Sequence, residues 1–216
     1  MRRLIVLVLG TLATVPILFL CNKFYKLTRP KLLAMLVTMA VSGVLGCKLM
    51  YFVENGSFAG QSFFGAVLLA PWLVCLGAKA LKVPMADALD LYAPPACIML
   101  AVQKANCTLT GCCIGRIILY AENGDPIRFP SQILEGAAAL LICIYLYWLI
   151  SEGKHRGRIL PVFYLTYGVS RFILNLTRDT DPYLWDLAIG NIWSIIAAVI
   201  GLLWLILLTD RKKGAS

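Results

Sequence analysis

Hydrophobic residues come in seven long runs, about 4–21, 32–53, 62–80, 89–105, 132–150, 159–177 and 189–208, separated by short polar connections. At ~1.5 Å of rise per residue each run, as a helix, is long enough to cross roughly 30 Å of hydrocarbon. Within the sixth run Tyr164, Tyr167, Arg171, Asn175 and Arg178 recur at three- and four-residue spacing and draw a polar stripe on an otherwise apolar helix. Such a stripe faces protein or water, not lipid. The predicted fold is all-α: a polytopic membrane protein of about seven transmembrane helices, with no internal repeat or long linker, forming a single domain over 1–216.

Composition strengthens this reading. A chain that is 60% hydrophobic and 14% charged, with mean hydropathy +0.81, has more apolar surface than one soluble core could bury. The net charge of +9 invites a nucleic-acid partner, but the cations are scattered among the connections, so none is expected. They read instead as orientation signals. Lys23, Lys26, Arg29, Lys31, Lys79, Lys82, Lys154, Arg156, Arg158, Arg211, Lys212 and Lys213 fall on one side, against Arg2, Arg3, Arg116, Arg128 and Arg178 on the other. That asymmetry places the amino terminus outside and the carboxyl terminus in the cytoplasm. The first run, behind Met1-Arg2-Arg3, resembles a signal peptide, yet no small-residue cleavage site follows Leu18-Phe19-Leu20-Cys21, so it is kept as a span.

Only Lys48, Lys104 and Arg171 then lie inside spans, and an intramembrane cation is costly enough to mark a functional site. The topology puts Lys48, Tyr51, Lys104, Gln132, Glu135 and Arg171 in the outer half. There too lies Asn106-Cys107-Thr108-Leu109-Thr110-Gly111-Cys112-Cys113-Ile114-Gly115-Arg116, whose glycines, hydroxyls and thiols suit irregular backbone close to a ligand. Arg171, Arg178, Arg116 and Lys104 near one membrane face point to a pocket for a phospholipid headgroup, because guanidinium groups pair bidentately with phosphate. Glu135 either orients one of these arginines or is an ordinary first-turn carboxylate. Cys107, Cys112 and Cys113 show no Cys-x-x-Cys, and the sole histidine, His155, sits in a cytoplasmic loop; no metal or other cofactor is expected, and small residues in a tight turn explain the thiols. Asp87 and Asp90 open the fourth span, where carboxylates favour a helix N-terminus, and carry no chemistry.

Taken together, the blocks resemble the prolipoprotein diacylglyceryl transferase family. Gly43-Val44-Leu45-Gly46-Cys47-Lys48-Leu49-Met50-Tyr51 looks like its G-x-x-G-A-R-x-x-Y segment, and Asp90-Leu91-Tyr92-Ala93-Pro94 is similar to D-x-x-A-P. Lys104 to Arg116 follows G-R-x-G-N-F-x-N-G-E-x-x-G-R, keeping Gly111, Gly115 and Arg116. Phe129-Pro130-Ser131-Gln132-Ile133-Leu134-Glu135 looks like H-P-[ST]-Q-L-Y-E. Tyr167-Gly168, Arg171-Phe172 and Arg178-Asp179-Thr180-Asp181 are similar to Y-G-x-x-R-F-x-x-E-F-x-R-x-P-D, and Gly190-Asn191-Ile192-Trp193-Ser194 matches G-Q-x-x-S loosely. The chain departs at Phe64, where the family has a histidine, at Lys104 for arginine, at Cys107 and Cys112 for asparagine and glutamate, and at Asn175 for glutamate.

The resemblance implies a bacterial cytoplasmic (inner) membrane enzyme of lipoprotein biosynthesis, with an outward-facing site. It would move a diacylglyceryl group from phosphatidylglycerol to the lipobox cysteine of a prolipoprotein peptide, acting as a monomer. Lys104, Arg171 and Glu135 would be catalytic, with Lys104 as base. Arg116, Arg178, Gln132, Tyr167, Gly111, Gly115, Lys48, Tyr51 and Asn175 would bind substrate. Two alternatives stay open: a related lipid-group transferase with another acceptor, and a non-catalytic phospholipid-binding or lipid-transporting relative.

Overall fold

The computed structural model describes residues 2–179 and 187–213; Thr180 and Asp181 of the quoted blocks lie outside them. Among the described residues, six helical segments are long and apolar enough to cross a membrane: Ile5–Tyr25, Arg29–Asn55, Phe63–Ala80, Met85–Thr110, Ser131–Ser151 and Ile189–Asp210. They correspond to six of the seven runs. The remaining run forms a helix too, Ile159–Asn175, but at 17 residues it is the shortest of the seven.

The elements in chain order are α1 (Arg2–Tyr25), α2 (Arg29–Asn55), α3 (Phe63–Leu68), α4 (Ala70–Ala80), α5 (Met85–Thr110), β1 (Ile117–Tyr120), β2 (Pro126–Arg128), α6 (Ser131–Ser151), α7 (Ile159–Asn175) and α8 (Ile189–Lys213). Two features add local detail to the all-α bundle expected from the sequence. The third run is broken at Leu69, because Pro71 has no N–H to return to the preceding turn and its ring crowds that turn's carbonyl. A short hairpin also interrupts the helices: between α5 and α6 the strands β1 and β2 pair antiparallel, Ile117 with Arg128 and Tyr120 with Pro126, around a turn in which Gly124 takes φ 84°. Polar turn residues Asn123, Gly124 and Asp125 between two short apolar stretches are the signal for this hairpin.

Packing is organised on α5, which lies against α1, α4, α6 and α7. Its middle, from Leu91 to Cys97, is buried on every side, whereas α1, α2, α6 and α8 keep a wide exposed face of leucine, isoleucine and valine. A helix buried all round at the centre, ringed by helices with apolar outer faces, is the arrangement of a membrane bundle. It leaves the two ends of α5 as the places where polar side chains gather.

Candidate functional site

Glu135 is the centre of one such gathering. It sits one turn into α6, is 4% exposed, and its carboxylate is ion-paired with Lys104 Nζ of α5 and with Arg171 Nη1 of α7, while Arg178 Nε stands 3.8 Å away. The structure therefore brings together four expected site residues, three from the helices α5, α6 and α7 and one from the segment that follows α7. One carboxylate against three cations leaves two positive charges in a largely dry environment, and buried charge is expensive unless it is paired. Arg171 Nη1 and Arg178 Nε both face Glu135 Oε1, so what an additional anion would meet is the surplus of positive charge around that one carboxylate. Arg171 also lies over the ring of Phe64, 6.0 Å from its centroid, and Tyr167 packs in the aromatic group formed by Phe63, Phe64 and Phe163.

The position of Arg178 is set by backbone pairing. After α5 ends at Gly111, in the left-handed region at φ 67°, the chain runs antiparallel to the segment following α7, and Gly115 bridges Arg178. Arg116 N donates to Thr177 O at 2.9 Å and Asp179 N to Ile114 O at 3.2 Å. Gly115 is required here because a Cβ would run into Phe129 O and Ser131 Oγ at the start of α6. Arg116 itself turns outward, its Nε donating to Arg178 O at 3.1 Å, and Arg128 ties the same junction by donating to Gly115 O and Asp179 Oδ2. Thus the irregular segment serves as a clamp that fixes an arginine contributed from elsewhere in the chain.

The remaining expected residues divide. Gln132, one turn before Glu135, donates to Cys112 O at 2.9 Å. Asn175 is buried, donates through Nδ2 to Asn191 Oδ1, and accepts from Arg178 Nη1 at 3.4 Å. Lys48 and Tyr51 instead organise the 56–62 loop: Lys48 Nζ donates to Phe58 O at 2.6 Å, and the Tyr51 ring lies against Gly60. No contact among the described residues joins either of them to Glu135. A cavity of about 10 Å³ beside the ion pairs is lined by Leu100, Glu135, Ile142, Tyr167, Arg171 and Leu174, room for roughly one water.

Two features went unread in the sequence. Helix α5 continues through Asn106–Thr110, so irregular backbone begins only at Gly111. Its last turn then places Cys107 beside Cys112 and Cys113, with the three sulfurs all within 4.8 Å of one another. Hydrogen bonding from Cys107 holds the Cys113 thiol below the ordinary thiol range, and the charges of Arg178 and Lys104 assist, against burial that opposes ionisation. The second feature is Asn191, whose pairing with Asn175 fastens α8 to α7.

Comparison with known proteins bears on the family of the chain as a whole. Enzymes named phosphatidylglycerol--prolipoprotein diacylglyceryl transferase are similar to this chain in Methylobacillus flagellatus (27% identical over 166 residues, 71% of this chain and 62% of the relative), Clostridium tetani (24% over 217 residues, 90% and 87%) and Bordetella avium (27% over 165 residues, 71% and 62%). The matched stretch spans under two thirds of the length of two of these relatives. The prolipoprotein diacylglyceryl transferase family profile matches residues 5–207, from the first helix to the last and through every block of the polar cluster. On that match, the chain belongs to the prolipoprotein diacylglyceryl transferase family.

Proposed function

We propose that this chain transfers a diacylglyceryl group from phosphatidylglycerol to the lipobox cysteine thiol of a prolipoprotein. The observation that carries the reading is the pair of excess positive charges around Glu135, which matches the needs of a reaction whose leaving group is glycerol phosphate. The acceptor's sulfur forms the new C–S bond at the glyceryl carbon, the bond from that carbon to the phosphate oxygen breaks with its electron pair left on glycerol phosphate, and the thiol proton passes to water or to that departing phosphate. Negative charge grows on the departing phosphate, where Arg171 and Arg178 stabilise it. Glu135 holds the cations in place until the lipid arrives. Lys104, expected from the sequence to act as base, enters the proposal through its ion pair with Glu135. Tyr167 and Asn175 position the two arginines, Gln132, Gly111, Gly115 and Arg116 secure the 111–116 segment, and Lys48 and Tyr51 shape the loop at the entrance.

In the same proposal the chain is a single domain acting as a monomer in the bacterial cytoplasmic membrane. It crosses the membrane seven times, α7 included, since 17 residues at ~1.5 Å each reach about 25 Å and a short span is tolerated inside a bundle. The amino terminus is outside, the carboxyl terminus cytoplasmic, and the Glu135 site faces outward. The imbalance of lysine and arginine between connections supports this orientation.

A second reading, a phospholipid binder without chemistry, is favoured by Phe64, which fills the place of the family's histidine with a ring that can accept no proton. Purified protein incubated with labelled phosphatidylglycerol and a lipobox peptide separates the two. Label on the peptide thiol is expected. Retention of intact lipid by the protein, with no labelled peptide, refutes the transferase and leaves the binder.

A further inference from the structure

We propose that Cys107, Cys112 and Cys113 form a three-thiolate site for zinc, whose open fourth position takes the acceptor's cysteine and activates its thiol. The inference rests on the transferase reading above and supplies the group that Phe64 cannot.

The geometry fits a metal. Zinc–sulfur bonds of ~2.3 Å in a tetrahedral arrangement put neighbouring sulfurs about 3.8 Å apart. The three sulfurs here already lie within 4.8 Å of one another. They are gathered by backbone: Gly111 and Cys113 both have left-handed φ, 67° and 58°, which folds the chain back over the last turn of α5, where Cys107 is buried. Cys112 N donates to Cys107 O at 3.2 Å and Gln132 anchors Cys112 O, so the loop that carries two sulfurs is fastened to the helices on both sides. Burial decreases across the trio, from Cys107 inside to Cys112 outside, leaving one side of the site open.

Electrostatics fits as well. Three thiolates on a divalent ion carry one net negative charge and a bound phosphodiester carries another, before the acceptor thiolate adds a third that is consumed as the C–S bond forms. The cluster of Lys104, Arg171 and Arg178 against Glu135 has two positive charges to place against them. The two sites are neighbours: Cys107 follows Lys104 by three residues on α5, and Gln132, which holds the cysteine loop, precedes Glu135 by three on α6, so each step is under one helical turn.

The chemistry then balances without a protein base. When the acceptor thiol coordinates zinc its proton passes to water, because a zinc-bound thiol is deprotonated outright. The bound thiolate forms the new C–S bond at the glyceryl carbon, and the breaking C–O bond leaves its electron pair on glycerol phosphate, facing Arg171 and Arg178. Nothing is oxidised or reduced.

The test uses the whole protein, purified in detergent with its thiols kept reduced. Elemental analysis is expected to find one zinc per chain, and cobalt substitution should give thiolate-to-cobalt charge-transfer absorption. The triple variant Cys107→Ser, Cys112→Ser, Cys113→Ser loses both. Cys112→Ser alone, at the exposed and structurally least demanding position, weakens zinc binding at least about tenfold while the thermal unfolding of the metal-free protein stays unchanged. Zinc content that is the same in the triple variant, or a disulfide between two of these cysteines in protein trapped by alkylation straight from membranes, overturns the site. With the site in hand, chelation should cut peptide lipidation at least about tenfold and added zinc restore it; lipidation indifferent to chelation overturns the activation step. Metal content is read without lipid or peptide, so a protein that holds zinc and transfers nothing refutes the transferase reading, and the activation step with it, but not the metal site.

Discussion

The two ends of α5 both bury charge, and they resolve it in opposite ways. Near its start, Asp90 is 1% exposed and every demand of its carboxylate is met: Tyr25 Oη donates to Oδ2 at 2.9 Å, Gly157 N to Oδ2 at 2.5 Å and Ile159 N to Oδ1 at 3.0 Å. One carboxylate there satisfies three donors from two separate parts of the chain and caps the first turn of α7. Near its finish, Lys104 shares one carboxylate with two arginines, and two positive charges are left over. A closed set of hydrogen bonds holds a bundle together and offers nothing to a ligand. An open set with surplus charge costs stability and is retained where an anion completes it.

The sharpest way to break this contrast is Glu135→Ala. It leaves three cations facing one another with no counter-charge, and removing one partner from a buried ionic cluster costs about 3–5 kcal/mol. Chemical unfolding in detergent should show that loss, and lipid transfer should vanish with it. Arg171→Met separates function from fold more cleanly. It removes a cation from a site that has too many, so stability should change little, while transfer falls by about 10²–10³ as one donor to the leaving phosphate disappears. Normal transfer by a well-folded Arg171→Met protein would show that the charge surplus is not the phosphate site.

Asp90→Asn tests the other end. The amide presents a single accepting oxygen where the carboxylate presents two, so at least one of the three donors loses its partner, at about 1–3 kcal/mol. Unfolding should move to lower denaturant, and transfer per folded molecule should match the parent protein. A transfer defect larger than the loss of folded protein would mean that the two ends of α5 are coupled.

How far sequence reading reached follows the same division. The spans were legible because hydrocarbon demands long apolar runs, and the Lys104, Glu135 and Arg171 site was legible because intramembrane charge is rare enough to stand out. Arg178 could be placed on the Arg171 stripe, but the pairing of Gly115 with Arg178 could not be read, since it joins segments more than sixty residues apart. The break at Leu69 was available in Pro71 and was overridden by the unbroken hydrophobicity of the run. Asp90 was read as serving its own helix, and instead caps α7, because a carboxylate two turns inside one helix can reach the exposed N–H groups of another only after packing. The cysteine cluster was hidden for a similar reason: Cys107 belongs to a helix and Cys112 and Cys113 to a loop, and linear spacing says nothing about a chain that doubles back through two left-handed residues.

The smallest expected effect completes the comparison at the Asp90 end. Arg156 reaches Asp87 with both branches of its fork, Nε to Oδ1 at 2.5 Å and Nη2 to Oδ2, yet its side chain is 58% exposed. Geometry alone would rank this bidentate contact with the Glu135 pairs. Exposure reverses the ranking, because water screens the arginine and solvates it when the contact opens. Asp87 is itself in the first turn of α5, where the helix N-terminus favours a carboxylate even without its partner. Arg156→Ala should therefore lower stability by under about 1 kcal/mol, an effect that fades in high salt, and leave transfer unchanged. If the loss equals that of Asp90→Asn, then exposure is not what separates the charges that matter in this bundle from those that do not, and burial at Glu135 would lose its weight as a sign of function.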